Sequence, residues 1–186
     1  MAAIANNRLT LEQFVLEIAR IPREQLDLEA LRDLVRRLDV CDDLIRQHIR
    51  FRPDSYARNL VCRTPAFDML VLCWRPGQQT VIHDHGESLN VTRVVGGRLC
   101  SRMFVEAARP EPGRVLVRPT VDELLDGMAF SCVDAGEIHQ LANTSEADLV
   151  TLHVYARPLK DIRVYCPNTG EVDTVRLRYT LEDDYV

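Results

Sequence analysis

The apolar positions of the chain change their period near Pro53, and the change divides it into two textures. Before it, Leu11, Phe14, Val15 and Ile18 fall three and four residues apart, the spacing that gathers side chains on one face of an α-helix. Thr10, with Gln13 three places on, supplies a capping box. Pro22 closes the segment, since proline cannot continue the helical ladder. Leu26, Leu28, Leu31, Leu34, Val35 and Leu38, then Leu44, Ile45 and Ile49, mark a second stripe. The spacing predicts helices over 10–50, with one face to bury and no chemistry of their own.

After Pro53 the chain breaks into short runs rich in Val, Ile, Leu and Phe, punctuated by Pro and Gly. The expected strands are 67–74, 79–83, 88–95, 98–105, 114–118, 128–133, 147–155 and 161–166. Turns are expected at Pro76-Gly77, Gly96-Gly97, Glu111-Pro112-Gly113, Ala135-Gly136 and Asn168-Thr169-Gly170. Many short strands with close turns and few helices indicate a sandwich or barrel. The expectation is a single all-β domain spanning 1–186, with a helical N-terminal layer.

Composition narrows the partners. A chain of 186 residues with 46% hydrophobic and 27% charged residues has enough apolar surface for a core. Its formal net charge of −5 gives no basic field for nucleic acid. Arg32, Arg36 and Arg37 alternate with Asp33 and Asp39, as on a solvated helix face. No stretch reaches the ~18 apolar residues of a membrane span, and the start, MAAIANNRLTLEQF, lacks a basic and then apolar leader. Six cysteines, with no CxxC pair, read as reduced and mostly buried thiols. A cytoplasmic protein is the resulting expectation, and a monomer is expected.

Four of the five histidines lie in the β region. His83 and His85 flank Asp84, and in a strand residues two apart share a face, so both imidazoles would enter one space while Asp84 points away. Such a pair is either two metal ligands or a polar strand end. His139 follows the turn at Gly136, and His153 and Tyr155 share a face of another expected strand.

The spacing of these residues resembles the two motifs of the cupins. Gly77, five residues, His83-Asp84-His85, four residues, Asn90, six residues and Gly97 follow the first motif, with Asn90 in the place of its acidic ligand. Gly136-Glu137-Ile138-His139, three residues and Asn143 follow the end of the second, with Asp134 for its proline and Gly127 one residue upstream of its glycine. Glu87, two residues after His85, is a further candidate ligand; the three-histidine set is preferred.

A cupin with three histidines and no acidic ligand is similar to the thiol dioxygenases, and to the cysteine dioxygenase family in particular. Tyr56-Ala57-Arg58-Asn59-Leu60 matches that family's Y-x-R-N-L, and Cys73-Trp74 its Cys-Trp pair. Thr151-Leu152-His153-Val154-Tyr155 matches its Ser-x-His-x-Tyr with threonine for serine. The resemblance runs from about Tyr56 to Gly170. Asn90 stands where animal members carry a cysteine joined to the tyrosine, so the chain resembles the uncrosslinked, bacterial-type members, with Tyr155 a free phenol. Ala156-Arg157-Pro158 replaces the usual Ser-Pro-Pro, which leaves a cis peptide there open.

The resemblance implies a cupin-type β-barrel (double-stranded β-helix) with its core in 56–170. It also implies an Fe(2+) site of His83, His85 and His139, and an enzyme that adds O2 to the sulfur of L-cysteine to give cysteine sulfinate. Arg58 would clamp the carboxylate, with Tyr56 and Tyr155 against the substrate, and Tyr155 with His153 would act in catalysis. Three neutral ligands leave Fe(II) one negative charge short of the usual two-histidine, one-carboxylate set, and a substrate thiolate compensates. Arg58 rather than glutamine favours cysteine over 3-mercaptopropionate, which is the first alternative; a cupin that binds a metal or ligand without turnover is the second. Arg163 is a second basic candidate, and Asp84, Glu87 and Asp134 are expected on the rim or in loops.

Overall fold

The computed structural model describes residues 8–41 and 43–180; the side chain of Leu44 and the segments 1–7 and 181–186 lie outside the described residues. Helix α1 (Leu11–Arg20) starts at the expected capping box, with Gln13 N donating to Thr10 Oγ1 and Thr10 N to Gln13 Oε1. Its apolar face buries Leu11, Phe14 and Ile18, and Phe14 meets Phe67 edge to face at 5.5 Å. The second stripe is interrupted: α2 (Leu28–Arg37) ends before a one-turn helix, α3 (Asp43–Arg46). Arg93 accounts for the stop, because its guanidinium donates to the carbonyls of Val35 and Leu38, where the helix dipole is negative.

Among the described residues, eleven strands form two antiparallel sheets. One has the order β1 (Ala57–Arg63), β2 (Phe67–Trp74), β9 (Leu149–Ala156), β4 (Leu89–Gly96), β7 (Phe130–Val133). The other runs β11 (Val172–Arg176), β10 (Asp161–Tyr165), β3 (His83–Asp84), β8 (Ile138–Ala142), β5 (Leu99–Ala108), β6 (Leu116–Leu125). This is the cupin-type double-stranded β-helix, with the short helices laid on one sheet. Strand β2 is buried along its whole length because both faces are covered. Its odd residues Met69, Val71 and Cys73 pack toward the helices with Leu152 and Val154. Its even residues Leu70, Leu72 and Trp74 join Tyr155 in the interior. The strand period of two thus separates an apolar outer layer from the face that carries the chemistry.

Three expectations are revised. The strand expected at 79–83 shrinks to His83–Asp84, since the Thr80 hydroxyl, rather than a backbone carbonyl, takes the Leu141 N–H. The run at 114–118 extends to Leu125 as an exposed edge strand, where Pro119 is tolerated beside a bulge in the pairing with β5. Strands β1, β8 and β11 are additional to the expected set. Gly97 has a mechanical reason to be glycine: its φ is +87°, and a Cβ would lie 2.5 Å from the Asp148 carbonyl oxygen. The described peptide bonds are all trans, and Arg157 before Pro158 adopts φ 68°.

Candidate functional site

The interior between the sheets holds four buried histidines. His83 pairs across the ladder with His139, and His85 follows directly in the loop that leaves β3. Their Nε2 atoms converge: His85 lies 3.1 Å from both His83 and His139. The ligand atoms of all three lie within 4.8 Å of one another, the one such group among the described residues able to hold an ion. The strand period brings His83 inward, while β8 places His139 opposite it.

Burial keeps these rings neutral. It pushes His83 down to about 4, with the Arg58 charge adding to the effect and the Val81 carbonyl and Asp84 opposing it. His85 and His139 are held well below the ordinary histidine value, first by burial and then by their histidine neighbours. His83 Nδ1 donates to the Val81 carbonyl at 2.9 Å, which leaves its Nε2 lone pair facing inward. Nδ1 of His85 and of His139 is buried without a protein partner. Facing lone pairs repel unless a proton or a cation lies between them. Three neutral imidazoles in that arrangement fit a first-row transition metal with open positions.

The polar residues Arg58, His153 and Tyr155 come from the opposite sheet. The cavity beside the triad is lined by Tyr56, Arg58, His153 and Tyr155 and by an apolar wall that includes Leu72, Leu159, Ile162 and Leu177. Among the described residues, no carboxylate lines it. Along β1, Tyr56, Arg58 and Leu60 share the inner side, while Asn59 turns outward and donates to the Arg50 carbonyl. Tyr56 stacks on Trp74, ring centroids 4.4 Å apart. The Arg58 backbone N–H donates to Thr180 Oγ1, and Leu177 lines the cavity, so residues 177–180 return to this end of the barrel. Arg58 Nε is buried with no protein acceptor. Burial acts against the Arg58 charge, yet the Tyr155, Tyr56 and Tyr179 phenols hold its pKa up. Burial raises that of Tyr155, with Arg58 opposing, so the phenol stays protonated.

His153 is bonded on both ring nitrogens. Thr151 Oγ1 lies 2.8 Å from Nε2, Thr92 Oγ1 3.0 Å from Nδ1, and the Tyr155 hydroxyl 3.3 Å from Nδ1. Burial again, then Arg58 and His83, keep it neutral. Thr92 and Trp74 carry no signal of this role in the sequence. Only the register that sets Thr92 opposite His153 reveals it.

Other candidates lie elsewhere. The Glu87 side chain is 83% exposed and pairs with Arg157, so it does not reach the triad. Asp84 is not a rim residue: it is fully buried on the side away from the histidines, where Gly86 N, Arg163 Nε at 2.9 Å and the Tyr165 hydroxyl satisfy its carboxylate. Arg163 is thereby committed to Asp84, outside the cavity. Asn90 sits at the acidic-ligand position of the motif, but both ends of its amide are used by Val154 O and Thr92. No described helix is long and apolar enough to cross a membrane.

Comparison with known proteins agrees with this geometry. Cysteine dioxygenase type 1 of Danio rerio is 25% identical over 177 residues, covering 91% of this chain and 86% of that protein. The human protein of the same name is 25% identical over 134 residues, 71% of this chain and 66% of its own length. A crystal structure from Thermus thermophilus superposes with a TM-score of 0.51 at 21% identity, covering 61% of this chain and 94% of that one, a likeness of fold. The family described as cysteine dioxygenase type I matches residues 2–167. Since that match takes in the histidine triad, Arg58 and the His153–Tyr155 pair together, the chain belongs to the cysteine dioxygenase type I family.

Proposed function

We propose that the protein is a single cupin unit acting as an Fe(II)-dependent thiol dioxygenase that converts L-cysteine to cysteine sulfinate. The balanced reaction, R–SH + O2 → R–SO2H, places both oxygen atoms on sulfur and needs no outside reductant. The observation that carries the reading is the charge pattern: three converging neutral imidazoles and one buried guanidinium, with no carboxylate among the described lining residues. A divalent ion held by His83, His85 and His139 would leave an uncompensated positive site, which a substrate bearing both a thiolate and a carboxylate neutralises. What a ferrous ion supplies when bound there is a Lewis acid for the thiol and the electron chemistry that dioxygen requires.

The chain's own residues do the rest. Arg58 offers its unpartnered Nε–H to the carboxylate in a charge-assisted hydrogen bond, which fixes orientation as well as charge. Tyr56, held by its stack on Trp74, borders the same end of the cavity. Tyr155, kept protonated by burial, offers a hydrogen bond beside the triad, where its ring meets His85 edge to face at 5.2 Å. Leu159, Ile162 and Leu177 exclude water.

One feature favours 3-mercaptopropionate as a second reading: among the described residues the lining holds no anion to receive a free ammonium group. Anaerobic loading with Fe(II), then oxygen uptake and product identification with cysteine, 3-mercaptopropionate and cysteamine, decides between the two. Binding of these thiols without any sulfinate product would overturn both and leave a non-catalytic cupin.

A further inference from the structure

The polar groups around His153 form a chain whose two ends have fixed direction. At one end, indole nitrogen only donates, and Trp74 Nε1 lies 2.9 Å from Thr151 Oγ1. At the other, Asn90 Nδ2 faces the Val154 carbonyl at 3.3 Å, so Oδ1 is the atom presented to Thr92 Oγ1 at 2.9 Å, and an amide oxygen only accepts. Thr92 therefore donates its one proton to Asn90, and its oxygen is left to accept from His153 Nδ1. Thr151, already accepting from Trp74, donates to His153 Nε2. Each member is then satisfied, all but Trp74 as donor and acceptor at once. With the proton on Nε2 instead, Thr92 could serve only one of two acceptors. Donating to Nδ1 would strand Asn90 Oδ1, a buried acceptor left unpaired at a cost of about 1–3 kcal/mol. Donating to Asn90 would leave a bare Nδ1 facing the Thr92 oxygen, with Tyr155 as its nearest donor.

We propose that Asn90 and Thr92 are positioning residues that lock His153 in its Nδ1–H form, so that Tyr155 presents its phenolic proton to the cavity rather than to His153. The Tyr155 oxygen lies 3.3 Å from the same Nδ1 and shares its proton as a second acceptor. Arg58, which also only donates, lies against that phenol. With donors on two sides, the Tyr155 O–H is directed at whatever occupies the site. Were His153 in the other form, its bare Nδ1 would take the phenolic proton and turn it away. Asn90 thereby has a role that depends on its carbonyl oxygen, at a position where the motif otherwise supplies a metal ligand. The catalytic consequence rests on the thiol dioxygenase reading; the proton's place on His153 does not.

Long-range 1H–15N spectra of metal-free, histidine-labelled protein read the protonated nitrogen directly, with His153→Gln identifying the signal. The expected result is a protonated Nδ1 in the wild type, retained in Thr92→Ser and lost in Thr92→Val. Asn90→Ala gives the same loss without touching His153 or Thr92, because it frees the Thr92 proton to go to Nδ1, and it serves if Thr92→Val does not fold. In iron-loaded protein, kcat on the preferred thiol falls about tenfold in both variants, as expected for loss of an outer orienting partner, and recovers in Thr92→Ser. A wild-type His153 protonated on Nε2, or variants that keep Nδ1–H, would overturn the proposal. A changed tautomer with unchanged kcat would overturn the positioning role. No thiol oxidation by loaded wild type would instead overturn the functional reading and leave the tautomer assignment standing.

Discussion

Two groups of buried imidazoles face each other across the barrel, equally withdrawn from water and built on opposite plans. His153, from the sheet that carries the helices, has a partner on each ring nitrogen. The triad, from the other sheet and its loop, turns three Nε2 atoms on one another and leaves two Nδ1 atoms without partners. A fully satisfied group contributes to a fixed scaffold, whereas an under-satisfied one is a place where a ligand restores what folding left unmade. The contrast predicts that loss of His153 is felt in the stability of the metal-free fold and loss of a triad member in binding.

The sharpest way to break the contrast is to delete one histidine from each side. His139→Ala should lower iron affinity by more than the roughly 100-fold that loss of an outer partner costs, measured by metal analysis after equilibration with a competing chelator. His153→Ala should retain the iron but lower the stability of the metal-free protein by about 2–4 kcal/mol, through a cavity and stranded hydroxyls. In urea titrations of metal-free protein His139→Ala should cost less than His153→Ala. The reverse order would end the comparison.

Acid tests the same division next. His83 is neutral in the fold with its pKa lowered to about 4, against 6.5 unfolded. Its contribution is fully present above pH 6.5 and is lost as pH falls from there to about 4, because the unfolded chain takes up a proton the fold refuses. At 1.36 kcal/mol per pH unit this amounts to roughly 3 kcal/mol from His83 alone, and His85 and His139 act in the same direction. Denaturation of the metal-free protein at a series of pH values should show that fall. A flat profile between pH 7 and 4 would contradict neutral, buried rings.

Arg58→Ala bears on the substrate half of the cavity. Loss of a charge-assisted hydrogen bond worth about 1.5–3 kcal/mol should lower kcat/KM for cysteine roughly 10- to 100-fold. Cysteamine, which has no carboxylate, should be little affected. Equal losses on both thiols would assign Arg58 to structure. The smallest effect is expected at Glu87, where Glu87→Gln breaks an exposed pair worth at most about 1 kcal/mol and should leave the iron content unchanged.

Much of this arrangement is legible from local pattern. The capping box at Thr10 and Gln13 and the alternation of β2 and β9 follow from interactions within a few residues of sequence. Asp84 shows where such reading stops. Alternation correctly turns it away from His83 and His85, but its burial depends on Arg163 and Tyr165, some eighty residues later. Thr80 shows the same limit: it lies in a run expected as a strand, and its N–H does donate to the Leu141 carbonyl, while its hydroxyl takes the Leu141 N–H in place of its own carbonyl.

The sequence by itself determined the periods, the caps, the faces shared by His83 with His85 and by His153 with Tyr155, and a motif order specific enough to name a family. Those are properties of spacing, and spacing survives without a fold. Only the tertiary structure decided that His139 pairs with His83, that Thr92 stands against His153, that Glu87 faces solvent, that Leu177 lines the cavity and that Thr180 accepts from the Arg58 N–H. Each of those depends on strand register or chain return between distant segments. Register is set by which faces the whole barrel can bury at once, a condition no single stretch of the chain contains.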